Sequence, residues 1–243
     1  MDMNVKVNSE DMKGKIILGV AAHPDDLDFG ASGAVAKWIK EGATAYFLIL
    51  TDGSKGSAEK EMTSEKLIKM RREEQMNASK ALGVKDVFFL GYPDTELTVT
   101  LELKKQIVRY IRMLKPDIAI TMDPTVLYSI TRNFINHSDH RAAGIATIDS
   151  VFPYARDRLT FPDLEAEGLE PHKVKTLYLI NFDDYNEVID ISNTLEHKLA
   201  ALRAHKSQIT EEDLERTEIR ARETGEKHGF SHAEHFIKLD LPA

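Results

Sequence analysis

The chain has 243 residues, 42% of them apolar and 30% charged, with a formal net charge of −8 and no cysteine. That length suits one α/β domain burying roughly 70–75% of its unfolded surface, and the acidic balance excludes phosphate-backbone binding as the main role, so no nucleic-acid partner is expected. Without cysteine there are no disulfides, thiolate metal sites or cysteine nucleophiles, and any metal falls to His, Asp or Glu.

Residues 1–14 read as a flexible leader to a single domain covering 1–243. They are polar and lack the apolar stretch of a secretory signal, which points to a cytoplasmic protein. No segment approaches the ~20 apolar residues of a membrane helix, so no integral membrane association is expected. Residues 15–22 are a buried parallel strand, because the run from Ile16 to Ala22 is almost continuously apolar. A helix over 31–41 follows, with Gly42 just past its end. A second strand covers 45–50 and leads into the turn-rich Thr51-Asp52-Gly53-Ser54. A long charged helix spans 64–82 and closes at Gly83. A third strand, 87–90, ends at Tyr92-Pro93-Asp94, and a helix over 101–114 is stopped by Pro116. A fourth strand occupies 117–121.

Residues 125–136 form a loop long enough to suggest function. A helix over 139–151 follows, with Ser138 as its N-cap. Residues 152–173 are irregular, 176–181 are a strand, and helices at 193–208 and 211–226 finish the chain. Alternating strands and helices of these lengths predict a Rossmann-like, mostly parallel sheet with helices on both faces. In such a sheet the loops at the strand carboxyl ends share one edge, where ligands bind.

Two polar clusters fall on that edge. His23-Pro24-Asp25-Asp26 follows the first strand, and His137-Ser138-Asp139-His140 opens the helix after the long loop. A catalytic zinc takes about three protein ligands and keeps a position open. His23 and Asp26, three apart across a turn, reach one ion, and His140 supplies the third ligand. Asp25 then stands beside the ion, placed to take a proton from a water. His137, protonated, stabilises a developing oxyanion. Asp139 either pairs with His137 and raises its pKa or neutralises the positive helix end. Arg132, in the long loop, is a candidate contact for an anionic substrate group. Arg71-Arg72-Glu73-Glu74 reads on composition as a solvated helix face. Gly30-Ala31-Ser32-Gly33 lets the first helix pack closely on the sheet, and His228, His232 and His235 belong to a polar helix end.

The chain resembles the PIG-L/LmbE-like zinc-dependent N-acetylglucosamine deacetylases from Ile16 to about Phe236. The resemblance is carried by Ala22-His23-Pro24-Asp25-Asp26, Thr51-Asp52-Gly53, Met70-Arg71-Arg72-Glu73-Glu74, Tyr92-Pro93-Asp94, His137-Ser138-Asp139-His140 and the late Ala233-Glu234-His235-Phe236. It implies one Zn2+ per chain, with Fe2+ or another divalent ion as the alternative, on His23, Asp26 and His140. It implies Asp25 as general base, His137 as oxyanion stabiliser or acid, and Asp139 as its partner. It implies that Arg71 contacts sugar hydroxyls, that Asp94 lies near the sugar, and that the chain is a homo-oligomer, a trimer or hexamer. The small-molecule partner is then an N-acetyl amino sugar. The chain departs from the pattern at Leu27-Asp28, where many members carry glutamate, at Ser138 in place of proline, and at Ser32-Gly33 in place of a glycine pair. Two other readings stand beside the deacetylase: a non-catalytic sugar or nucleotide-sugar binding domain, and a zinc amidohydrolase of another N-acyl substrate.

Overall fold

A computed structural model of the chain describes residues 5–242. Its centre is an eight-stranded sheet: β1 (Lys6–Val7), β2 (Ile16–Ala21), β3 (Thr44–Thr51), β4 (Asp86–Tyr92), β5 (Ile118–Met122), β8 (Thr176–Ile180), β9 (Glu187–Asp190) and β10 (Ala233–Asp240). The spatial order is β1-β9-β10-β8-β5-β2-β3-β4. The five strands β8, β5, β2, β3 and β4 run parallel, with Ile17 opposite Ala45 on one side and Ile118 on the other. β10 is antiparallel to both β8 and β9.

The central strands β2, β3, β5 and β8 are nearly all apolar because both their faces are covered. Along β2, Ile17 and Ala21 face one core with Phe47, Trp38 and Tyr178. Leu18 and Val20 face the other with Leu103, Ile107 and Ala143. Helices α2 (Ser32–Lys40), α3 (Ser64–Leu82) and α7 (Leu195–Ala204) lie on the first face. Helices α4 (Leu101–Leu114) and α5 (Ser138–Asp149) lie on the second. The chain winds from β2 outward through β3 to β4, then returns to lay β5 on β2's other side. The direction reverses between β2 and β5, and the loop after β2 opens into that crevice, where such sheets bind ligands.

The predicted helices over 64–82 and 101–114 form with those bounds. Thr63 and Thr100 accept the amides of Lys66 and Leu103, and Gly83 ends α3 with φ +83°. The close packing expected of Gly30 and Gly33 is present. A Cβ on Gly30 would stand 2.6 Å from the Ile180 side chain, and one on Gly33 2.8 Å from Ile191.

Several expectations need correction. The segment read as a flexible leader is tied down from residue 6: Lys6 and Val7 pair with Glu187 and Val188, and Met12 is buried. Residues 1–4 lie outside the described residues. A short helix, α1 (Asp26–Gly30), precedes α2. The long loop folds back as a hairpin of β6 (Tyr128–Ser129) and β7 (Phe134–Ile135). Ser138 is inside α5, and the N-cap is His137, whose Nδ1 accepts the Asp139 amide at 3.1 Å. The span 152–173 contains α6 (Pro162–Ala166). The last helix, α8 (Glu211–Lys227), is not the end of the fold, because β10 follows and carries His235 into the sheet.

Candidate active site

The loop after β2 places three polar side chains in a volume that strands and helices enclose. The His23 amide donates to Asp26 Oδ2 at 2.8 Å, which closes the turn, and Asp26 opens α1. Between them Asp25 takes φ +99°, a left-handed conformation costing a non-glycine residue on the order of 1–3 kcal/mol. α3 holds it there. The Arg71 guanidinium donates to Pro24 O at 2.7 Å and to Asp25 Oδ2 at 3.1 Å, and Gln75 Oε1 accepts the Asp25 amide at 2.9 Å.

The second cluster arrives from α5. The ring nitrogens of His23, His137 and His140 offer one atom each within 4.8 Å of one another, and His23, Asp94 and Asp139 form a second such group. Asp26 joins both histidines, with Oδ1 3.0 Å from His140 Nε2 and Oδ2 3.6 Å from His23 Nδ1. Asp94 is delivered by the loop after β4, where its own amide donates to Asp52 Oδ1 and its Oδ2 accepts the Lys55 amide. Asp139 accepts the Thr95 amide at 2.8 Å. Clusters separated by more than a hundred residues thus converge because their elements end on one sheet edge.

The site is rich in negative charge. His23 Nε2 lies 3.1 Å from Asp94 Oδ1 and 3.4 Å from Asp139 Oδ2. Neither approach is aligned as a hydrogen bond, which leaves that buried nitrogen without a partner. Burial opposes charge on His23, yet Asp26 first, then Asp139 and Asp94, push its pKa up to about 12. Burial also disfavours an ionised Asp26, but His140 and His23 hold its carboxyl well below the usual range. Asp94 falls to about 2, where contacts to His23 outweigh burial. Asp25 goes the other way. Burial raises it to about 6 despite the Arg71 charge.

Those contacts test whether a cation fits. The His140 Nδ1–H donates to Asn136 Oδ1 at 3.0 Å, so a neutral ring turns a bare Nε2 toward the Asp26 carboxylate. A lone pair facing a carboxylate oxygen is repulsive unless a proton or a metal ion lies between them. Two imidazoles and a carboxylate, one imidazole oriented by an amide carbonyl, are a donor set suited to a borderline divalent ion. The residues fit.

Other expected residues take different places. Asp139 lies only loosely against His137. Its Oδ1 lies 3.9 Å from Nδ1 and its Oδ2 bonds Thr95 instead. The His137 pKa is lowered, by burial first and the His23 charge second, which outweigh the upward push of the Asp139 charge. Arg71, expected at sugar hydroxyls, is 4% exposed, with its donors directed to Pro24, Asp25 and Gly53 O. Gly53 has φ +64°, and a Cβ there would stand 2.8 Å from Arg71 Nη1, so only glycine admits the guanidinium. Arg132 lines a cavity of about 280 Å³ whose floor includes Asp26 and His140 and whose walls include Phe29, Phe134 and Phe182. It also faces Asp183 at 3.8 Å.

The sequence reading missed the layer beneath. Asp28 Oδ2 accepts from Gln75 Nε2 and His205 Nε2, each at 2.9 Å, and all three are buried. Lys198 donates to Asp28 O, Phe29 O and Glu234 Oε1, and Glu234 accepts the Gly33 and Ala34 amides that open α2. Asp28 was visible as an acid after the motif. Gln75, Lys198 and His205 sit in charged helical sequence with no local signal.

Residues 18–151 match the family model PIG-L, described as GlcNAc-PI de-N-acetylase. The chain is 35% identical over 210 residues to diacetylchitobiose deacetylase of Thermococcus kodakarensis, covering 86% of this chain and 76% of that one. It is 26% identical over 206 residues to the probable N-acetyl-alpha-D-glucosaminyl L-malate deacetylase 2 of Bacillus anthracis, covering 79% and 81%. Among solved structures, N,N'-diacetylchitobiose deacetylase from Pyrococcus horikoshii superposes with a TM-score of 0.85 at 29% identity, over 93% of this chain and 84% of that one.

Proposed function

The chain belongs to the PIG-L family and is a metal-dependent N-deacetylase of N-acetylglucosamine-containing substrates; on that premise we propose that His23, Asp26 and His140 hold a zinc ion and that Asp25 is the general base. The observation that carries the assignment is the convergence of the two clusters, with His140 and His23 both turned to Asp26 and Asp25 beside them. When bound, the ion supplies a Lewis acid that acidifies a water and polarises the acetyl carbonyl.

The protein's own groups carry the rest. Asp25 takes one proton from the attacking water, and its pKa of about 6 leaves it ionised yet basic near neutrality. The water oxygen bonds to the acetyl carbon. Because His137 Nδ1 accepts the Asp139 amide, the neutral ring carries its proton on Nε2. That N–H is a fixed donor for the carbonyl oxygen as charge develops, a contact typically worth about 3–4 kcal/mol. Breaking the C–N bond sends the electron pair to nitrogen, which takes the proton that Asp25 gained from the water, while neutral His137 donates a hydrogen bond and keeps its proton. The products are acetate and a free amine.

Asp94 and Arg132 are proposed substrate contacts. Asp94 faces His23 inside the cluster at 3.1 Å, and Arg132 lines the cavity that Asp26 and His140 also line. Arg71 acts through Asp25. Self-association, which the resemblance implies, is supported by the exposed apolar Leu127, Tyr128, Ile130 and Ile135 on and beside the β6–β7 hairpin. No helix among the described residues is long and apolar enough to cross a membrane.

Acetate release from N-acetylglucosamine, N,N'-diacetylchitobiose and glycosides of N-acetylglucosamine tests the reading. Release is expected from at least one of them, lost on chelation and restored by zinc. Stoichiometric zinc with no release from any member would overturn it.

A further inference from the structure

The Pro24–Asp25 peptide is held at both of its polar ends by one face of α3. Arg71 donates to the carbonyl of Pro24 at 2.7 Å, and Gln75 Oε1 accepts the amide of Asp25 at 2.9 Å. The two residues are four apart and so lie one above the other on the helix. The peptide they grip is the one that leads into the left-handed φ of Asp25. Within the loop the His23 amide closes the turn on Asp26 Oδ2 and Asp25 O accepts the amides of Asp28 and Phe29, but Asp25 has no glycine's freedom and its side chain makes no cap bond to α1.

Gln75 is itself held. Its Nε2 donates to Asp28 Oδ2 at 2.9 Å and to Ser79 Oγ at 3.2 Å, and His205 Nε2 reaches the same Asp28 oxygen at 2.9 Å. Those bonds orient the amide so that its oxygen, not its nitrogen, faces Asp25. Gln75, Asp28 and His205 are all fully buried. The network also leaves Asp28 Oδ1 and His205 Nδ1 buried without partners. A buried polar network with unpaired atoms stabilises a fold less than apolar packing does, so stability alone does not account for it.

We propose that Gln75, braced by Asp28 and His205, is a positioning residue that works with Arg71 to clamp the Pro24–Asp25 peptide and set where the Asp25 carboxylate stands. The inference rests on Asp25 as the base. Its physical content is that the base is aimed through its backbone as well as through its ion pair with Arg71. Displacing a reacting group by about 1 Å costs up to about a hundredfold in rate.

The test compares Gln75→Leu with the exchanged pair Gln75→Glu/Asp28→Asn in zinc-loaded protein. In the double variant the carboxylate introduced at position 75 accepts the Asp25 amide. The side-chain nitrogen introduced at position 28, with two N–H groups, donates both to that carboxylate and to His205 in its other tautomer. Gln75→Leu is expected to lower kcat by roughly ten- to a hundredfold with KM and zinc content little changed, and the double variant to recover much of that rate. A merely structural residue would lower Tm and the active fraction but leave kcat per folded, zinc-loaded molecule in place. Hydrogen exchange of the Asp25 amide gives a readout apart from activity: protected in the wild type, exposed in Gln75→Leu. Wild-type kcat in Gln75→Leu, a double variant no faster than Gln75→Leu, or an unprotected Asp25 amide in the wild type would each overturn the clamp. If the wild type itself releases no acetate from any substrate, the deacetylase reading falls, and the clamp is judged on amide exchange alone.

Discussion

The loop after β2 and the hairpin after β5 flank the same cavity and are built in opposite ways. From His23 to Asp28 the side chains are buried or nearly so, and the backbone is gripped by Arg71, Gln75 and, through Asp28 O and Phe29 O, Lys198. The hairpin is two residues per strand, with Ile130 and Ile135 about four-fifths exposed. Its arginine, Arg132, is half-buried against Phe182 and Asp183. The difference teaches where each kind of work is done. In the proposed assignment the groups that meet a reacting atom stand on a loop over-determined from several elements, and the proposed rim contact stands on an exposed hairpin with few such constraints.

The sharpest way to break that division is at Asp25. Asp25→Asn keeps the shape and the Arg71 contact but removes the base. A loss of roughly 10²–10⁴-fold in kcat is expected, with zinc content unchanged. In the wild type the rate should follow the ionised carboxylate. Its folded pKa is raised to about 6, so kcat/KM is full well above pH 6 and falls as pH drops through that value. Asp25→Asn should abolish that acidic limb. A pH profile that keeps the same limb in the variant would assign it to another group.

What could be read ahead of the structure follows the same division. The parallel strands were legible because both-sided burial leaves a continuous apolar run, and α3 and α4 because caps and periodicity mark both ends. The clusters at His23 and His140 were legible because the strand-end rule places them together. β9 was missed because Glu187-Val188-Ile189-Asp190 is four residues with charged ends, and β10 because His235-Phe236-Ile237-Lys238 sets only two apolar residues between polar ones; both pair with partners distant in sequence. Gln75 and His205 were missed for the same physical reason. A buried polar side chain on an amphipathic helix looks like surface until its partner, here Asp28, is known. The place of Arg71 was not legible either: its guanidinium sits over Gly53 with three protein acceptors that come from two separate loops.

Arg71 sharpens the comparison from the scaffold side. Arg71→Met removes the cation that lowers the Asp25 pKa and leaves Pro24 O and Gly53 O without their donor. Removing one partner of a buried pair costs about 3–5 kcal/mol, so Tm should fall clearly. The acid limb of the pH–rate profile should also move upward, because Arg71 is the largest influence opposing burial at Asp25. Melting curves and kcat/KM against pH check both. An unchanged limb in a folded Arg71→Met protein would mean that Asp25 does not feel this charge.

The smallest effect is expected at the rim. Arg132 holds Asp183 at 3.8 Å, a loose and partly exposed pair worth at most about 1 kcal/mol to stability. As a proposed substrate contact it lines the cavity with Asp26 and His140, while His23 and His137 are not among the lining residues. Arg132→Ala should therefore leave kcat within about twofold while raising KM roughly three- to tenfold, the signature of binding shared equally by ground and transition states. Steady-state kinetics on the best acetylated substrate separates the two constants. A kcat loss at Arg132 comparable with that at Asp25 would move the chemistry out to the hairpin and erase the division between a rigid reacting loop and an exposed rim.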